Sequence, residues 1–190
     1  MACTLTAGRP ERCKEFVGGI KSIYFIPYGT MSTINYDTAT AGEEDQILTV
    51  TGVTTLFKYD LKGANSFEQT VTSSRENGTT FAEQTLTFTV KGQDVKTTKQ
   101  LKLLAYGRPH VVIRTNANTF YLAGLEHGMD VTTGLISNGT AMGDLNGYTF
   151  TLVGAEAIPA NNLAVTSPFA DAGLAPGVFT GAGIDAGVVI

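Results

Sequence analysis

Tryptophan is absent from these 190 residues, histidine occurs twice and cysteine twice. Each scarcity removes a class of function. A carbohydrate-binding or hydrolytic β-sandwich is expected to show exposed tryptophans or a paired-acid cleft, so that reading loses its usual platform. Cys3 and Cys13 form no CxxC pair and have no histidine nearby, which leaves a zinc site with little support. Two reduced thiols are expected, because disulfides are rare in reducing compartments. Charged residues make up 16% of the chain, against roughly 25% in ordinary soluble domains. The net charge of −4 disfavours a protein that grips nucleic acid by releasing counterions from phosphates. No apolar run reaches the length of a membrane-spanning helix, and the opening MACTLTAGRP lacks the apolar centre of a secretory signal. The expectation is a soluble chain made in the cytoplasm, with no membrane partner.

Threonine, asparagine and glycine occupy the space that charge leaves. Threonine favours strands, since its branched side chain offers a methyl and a hydroxyl to a half-exposed pleated face. Val17 to Ile26 carries apolar residues at both parities and stops at Pro27, the pattern of a strand buried on both faces. Met31 to Tyr36 is a weaker strand, Thr38 to Asp45 a loop, and Ile47 to Thr51 a further strand. In Leu56 to Leu61, Phe57, Tyr59 and Leu61 alternate with Lys58 and Asp60, which predicts one wet face.

Between Ser66 and Lys91 two threonine-rich runs flank Asn77-Gly78, a favoured pair for a two-residue hairpin turn. If Glu76 faces Thr79, then Phe67 faces Phe88, Gln69 faces Leu86 and Val71 faces Gln84. The opposite face pairs Glu68 with Thr87, Thr70 with Thr85 and Thr72 with Glu83. A one-residue slip would scramble this segregation. Asp94 to Tyr106 predicts the one helix, with Asp94 as N-cap, Gly107 in a left-handed position after the last turn, and Val95, Thr98, Leu101 and Leu104 or Ala105 as its buried stripe. His110 to Thr115 and Thr119 to Ala123 predict a hairpin around Asn116-Ala-Asn118, Gly124 to Gly143 reads as turns, and Tyr148 to Val153 as a final core strand.

The expected architecture is mainly β, a sandwich or barrel-like domain over residues 1–156 with one flanking helix, followed by an Ala/Gly/Pro-rich extended arm over 157–190. That arm cannot form a core alone, and ordering it costs roughly 1–2 kcal/mol per residue in backbone entropy, so it must pack on something, a neighbouring subunit being one option.

Few constellations support catalysis, and no cofactor is implied. His110 opens a strand and reads as a structural histidine. His127, with Glu126 and Asp130 nearby, is the better ligand candidate, although neighbours on an extended chain point to opposite faces and a polar turn is the simpler reading. Glu43, Glu44 and Asp45 read as a solvated loop. Gly173 to Gly187 lacks the order of a phosphate loop. Asn77-Gly-Thr79 and Asn138-Gly-Thr140 match the glycosylation sequon but are better explained as turns. The chain is not expected to be an enzyme.

The order strand, Asn-Gly hairpin, short helix, strand pair, then Gly143-Asp-Leu-Asn-Gly-Tyr-Thr-Phe-Thr-Leu152 resembles tail tube (major tail) proteins of long-tailed bacteriophages, over roughly residues 17 to 156. The resemblance implies a virion protein whose copies close six at a time into rings that stack into a tube, a conduit through which DNA passes without specific binding. Glu68, Thr70, Thr72, Glu83, Thr85 and Thr87 would then suit the lumen wall, since like charge keeps DNA from sticking. Glu43, Glu44, Asp45, Phe169 and Phe179 are candidates for contacts between subunits, and other virion proteins are further partners. A capsid decoration or head-tail joining protein is the alternative with the same compositional signature.

Overall fold

A computed structural model of the chain describes residues 8–11, 13, 14, 17–39, 45–165 and 171–187. The strands are β1 (Ile20–Ile26), β2 (Thr33–Tyr36), β3 (Ile47–Thr51), β4 (Thr55–Asp60), β5 (Ser66–Ser74), β6 (Thr79–Lys91), β7 (His110–Thr115), β8 (Phe120–Ala123), β9 (Asp130–Ser137), β10 (Gly147–Glu156), β11 (Asn161–Asn162) and β12 (Gly183–Asp185), with helix α1 (Val95–Tyr106) between β6 and β7. They form a six-stranded sheet in the order β11-β8-β7-β1-β4-β12, a four-stranded sheet β5-β6-β10-β9, and the β2-β3 hairpin. The fold is mainly β, as its composition predicts.

The six-stranded sheet is the middle layer, which explains why β1 is apolar at both parities. Ile23 and Phe25 of β1, with Val111 and Ile113 of β7, face the four-stranded sheet and pack on Leu86, Phe88, Phe150 and Leu152. Tyr24, Ile26 and Val112 face the other way, onto Ile47 and Val50 of β3 and onto the C-terminal segment. Two cores therefore share one sheet. Inner aromatic rings of the first core meet face to edge and stacked, with Phe25 and Tyr59 centroids 5.4 Å apart and Phe88 and Phe150 6.0 Å apart.

The described part of the 157–190 arm folds onto its own chain, so the expectation of packing on a sister molecule is corrected for those residues. Leu163, Leu174, Val178 and Phe179 are buried in the second core. Backbone bonds hold the segment between β3 and β4: Ala164 N–H donates to Ile47 O, Thr180 N–H to Val50 O, and Gly183 N–H to Thr54 O. Its last strand, β12, runs parallel to β4, and its first, β11, antiparallel to β8. Both edges of the six-stranded sheet are thus made by the arm.

Two local expectations change. In β4 the supposed wet side is covered: Leu56 is fully buried and Lys58 lies under Asp171 of the arm, whereas Phe57 is 37% exposed. In α1, Asp94 caps as expected, its carboxylate accepting from Thr97 N–H, but Gly107 is extended (φ −97°, ψ 172°) and not left-handed. Val95 is 89% exposed, so the stripe consists of Thr98, Leu101 and Leu104, with Thr98 Oγ1 hydrogen-bonded to the Tyr148 hydroxyl of β10. Among the described residues no helix is long and apolar enough to cross a membrane.

Candidate functional site

The four-stranded sheet turns one face to the core and leaves the other uncovered. Its β5-β6 register differs from the expected one by two residues. A four-residue turn, Arg75 to Gly78, separates Ser74 from its partner Thr79, so Asn77-Gly78 form only the second half of the connection. Ser74 Oγ accepts from Asn77 N–H, and Gly78 takes a positive φ of 63°. Glu68 therefore faces Thr85, Thr70 faces Glu83 and Thr72 faces Phe81, while Phe67 faces Leu86 and Val71 faces Ala82. A shift of two preserves side-chain parity, so the residues stay on the faces the sequence assigns them.

Glu68, Thr70, Thr72, Glu83, Thr85 and Thr87 accordingly share the uncovered face. β10 extends it, with Thr149 opposite Thr89, Thr151 opposite Thr87 and Val153 opposite Thr85. Hydroxyls meet across the strands at 3.2 Å for Thr89 and Thr149 and at 3.3 Å for Thr87 and Thr151. β9 completes it with Thr133 beside Thr151 and Asp130 beside Val153. The result is a hydroxyl-rich face interrupted by the exposed Phe81 and Leu135, whose carboxylates are Glu68, Glu83 and Asp130 and whose one strand-borne cation by alternation is Lys91, at the far end. The alternation of threonine with large apolar residues in Tyr148 to Val153 is the sequence signal for the β10 part. No comparable signal marks β9, which the sequence presents as turns.

The candidate subunit contacts separate. Glu43, Glu44 and Phe169 lie outside the described residues. Asp45 is exposed, and its carbonyl accepts from Asn161 Nδ2 at 2.8 Å. Phe179 is fully buried in the chain's own second core, which removes it from any contact with a neighbour.

Elsewhere, the polar groups are engaged in holding loops. His110 is buried, its Nδ1 hydrogen-bonded to Gly124 O and its ring stacked on Tyr28 with centroids 5.2 Å apart. Burial lowers its pKa, against the carbonyl of Gly124 and the charge of Glu156. His127 meets Glu156 of β10, not Asp130: Nδ1 lies 3.2 Å from Oε2. Asp130 instead pairs with Arg108 at 3.2 Å. Glu126, His127 and Glu156 bring possible ligand atoms within 4.8 Å of one another. Glu156 Oε1, however, already accepts the amides of Glu126 (3.1 Å) and His127 (2.9 Å), the work of a loop anchor.

A second cluster ties the arm down. Asp171 accepts from Lys58 Nζ at 2.9 Å, from the Tyr24 hydroxyl at 3.0 Å and from Arg114 at 3.4 Å. Partial burial pushes the Asp171 carboxyl up, but hydrogen bonds from Lys58 and Tyr24 and the two cations outweigh it and hold its pKa below the usual carboxylate value. Burial likewise opposes the charge on Lys58, and Asp171 overcomes it, raising the Lys58 pKa.

The edges of the four-stranded sheet are its other distinctive feature. Among the described residues, no strand pairs with the outer side of β5 or of β9. Beside β9 runs a groove between sheet and helix, lined by the apolar Leu101, Ala105, Val131, Ile136 and Phe150, by Gly134, and by the polar Lys102 and Thr132. No family model, curated protein or solved structure matches this chain.

Proposed function

We propose that this chain is a virion structural protein whose copies close into rings that stack into a phage tail tube, a conduit for DNA. The observation that carries this reading is the four-stranded antiparallel sheet, both of whose edges are unpaired among the described residues. Because each strand is antiparallel to the next, β5 and β9 point in opposite directions. Copies related by rotation therefore place β9 of one beside β5 of the next in antiparallel sense, and the alternation continues unbroken around a ring. Closure satisfies edge amides and carbonyls that would otherwise template aggregation.

The uncovered threonine face then lines the inside. Six copies, the number the family resemblance implies, give about 24 strands; at about 4.8 Å spacing and a tilt near 40° the backbone wall is roughly 50 Å across. Carboxylates at Glu68 and Glu83 repel a polyanion, Asp130 is neutralised by Arg108, and the hydroxyls between them offer no cation for counterion release, Lys91 standing only at the far end. Passage without adhesion is the expected property. The chemistry resides in a surface and an assembly, with no nucleophile or metal required.

Negative-stain microscopy of the purified protein across a concentration series tests the proposal. Sixfold rings or hollow filaments are the expected result. A protein that stays monomeric or trimeric alone and attaches only to preformed shells would overturn it in favour of the capsid decoration reading. The large apolar groups of the described arm, Leu163, Leu174, Val178 and Phe179, are buried in their own chain, which directs the proposal to the sheet edges.

A further inference from the structure

The two open edges differ in a way that fits them to each other. On β5 the inward parity carries Phe67, Gln69 and Val71, and Val71 is 58% exposed, no described strand lying beyond it. On β9 the inward parity carries Val131, Gly134 and Ile136, and Ile136 is 51% exposed. One edge thus presents the bare Val71 beside a half-buried Phe67 and a Gln69 whose Oε1 accepts from Ala160 N–H, and the opposite edge presents the groove beneath α1. Gly134 contributes to its depth, since a Cβ there would lie 2.7 Å from the Phe150 ring.

We infer that the groove between α1 and β9 is the docking site for β5 of a second copy of this chain, in one register: Phe67 beside Ile136, Gln69 beside Gly134, Thr70 beside Thr133, and Val71 beside Val131. This rests on the ring reading and adds the seam to it. Three constraints select the pairing. Overlap is equal, with two β5 residues left over, whether β5 pairs through 66–72 or through 68–74. The first leaves the polar Ser73 and Ser74 over and sets Phe67 against Ile136, whereas the second leaves Phe67 unpaired and sets Gln69 against Ile136. Antiparallel sense and inward parity must both be kept, which excludes shifts by one residue. The irregularity in the β9-β10 pairing, between Thr151 and Leu152, steps the β9 numbering past Thr132 and brings Val131 opposite Val71. Outward residues then meet as Glu68 with Leu135 and Thr72 with Asp130, continuing the hydroxyl and carboxylate face across the seam. The contact is heterologous, with different patches meeting, which is the type that generates rings or filaments.

Cysteine pairs test the seam directly. Residues opposite one another on antiparallel strands have Cβ atoms roughly 4.5–5.5 Å apart, near enough for a disulfide. In a chain carrying Cys3→Ser and Cys13→Ser, the double variant Thr70→Cys/Thr133→Cys should yield, on mild oxidation of assembled protein, a ladder of covalent oligomers ending at the ring size. Thr70→Cys/Leu135→Cys, two residues out of register, should link at least about tenfold more slowly, because diagonal positions lie roughly 7–8 Å apart. Rings that form while only the out-of-register pair links, or while neither links, overturn the seam and leave the ring reading standing. Covalent dimers from Thr70→Cys alone would show β5 pairing with itself and overturn it too. Protein that never assembles at any concentration, with its fold intact by circular dichroism, sinks both. Val71→Lys, exposed in the monomer, should leave the melting of the isolated chain unchanged and raise the concentration needed for assembly at least about tenfold, since its ammonium would be desolvated in a groove that Lys102 already lines.

Discussion

Asp171 gathers a lysine, an arginine and a tyrosine that come from three different strands, and this makes acid the natural probe of the arm. Its folded pKa is lowered, so the stability it contributes is complete above the unfolded value near 3.9 and is lost as pH falls through the folded value. The protection of amides 174–182 against hydrogen exchange, relative to the intrinsic rate at each pH, should fall in that acid range. Asp171→Asn should show that lowered protection already at neutral pH, with little further change on acidification. His110 titrates in a separate window. Its folded pKa is also lowered, so the neutral ring stabilises the fold fully above about 6.5, and stability declines as pH falls below that value. Chemical denaturation of His110→Asn should remove the slope just below pH 6.5 and keep the one near pH 4. Neither set of partners was legible in the chain. Asp171 appears there as one of two charges in an apolar tail, and no spacing rule brings Lys58 and Arg114 to it; His110 reads correctly as structural, though its Gly124 partner does not.

Strands with an uninterrupted period were legible and interrupted ones were not. β1, β3 and β7 declare themselves as apolar runs, and the faces of β5 and β6 follow from alternation, although their register does not. The turn admits two more residues than Asn-Gly alone requires, and a two-residue shift changes no side-chain face, so patterning could not choose between the registers. β9 escaped because Gly134 and the irregularity next to Thr132 break its period, yet both features shape its groove. The arm was read as unable to form a core by itself, which holds; what the sequence does not reveal is that β3 and β4 of the same chain receive it. Phe179→Ala should accordingly destabilise the isolated chain by about 3–5 kcal/mol in urea denaturation, the range for emptying a buried phenylalanine site. A loss under about 1 kcal/mol would mean that the arm contributes little to the core. Val71→Ala should fall within about 0.5 kcal/mol, as expected for an exposed position.

For the whole molecule, the decisive contrast lies in how the two large sheets end. The six-stranded sheet is bounded on both sides by short pieces of the chain's own tail, β11 on β8 and β12 on β4, whereas the four-stranded sheet is bounded by nothing the described chain supplies. The tail therefore acts as selvage on a cloth, binding off the sides where growth would be unwanted and leaving one direction for extension. Truncation after Glu156 should expose a second set of raw borders together with the apolar bed of Leu163 and Phe179. Light scattering should then report shapeless precipitate in place of hollow particles. Under the proposed assembly, ordered growth depends on which borders residues 161–185 deny to other copies.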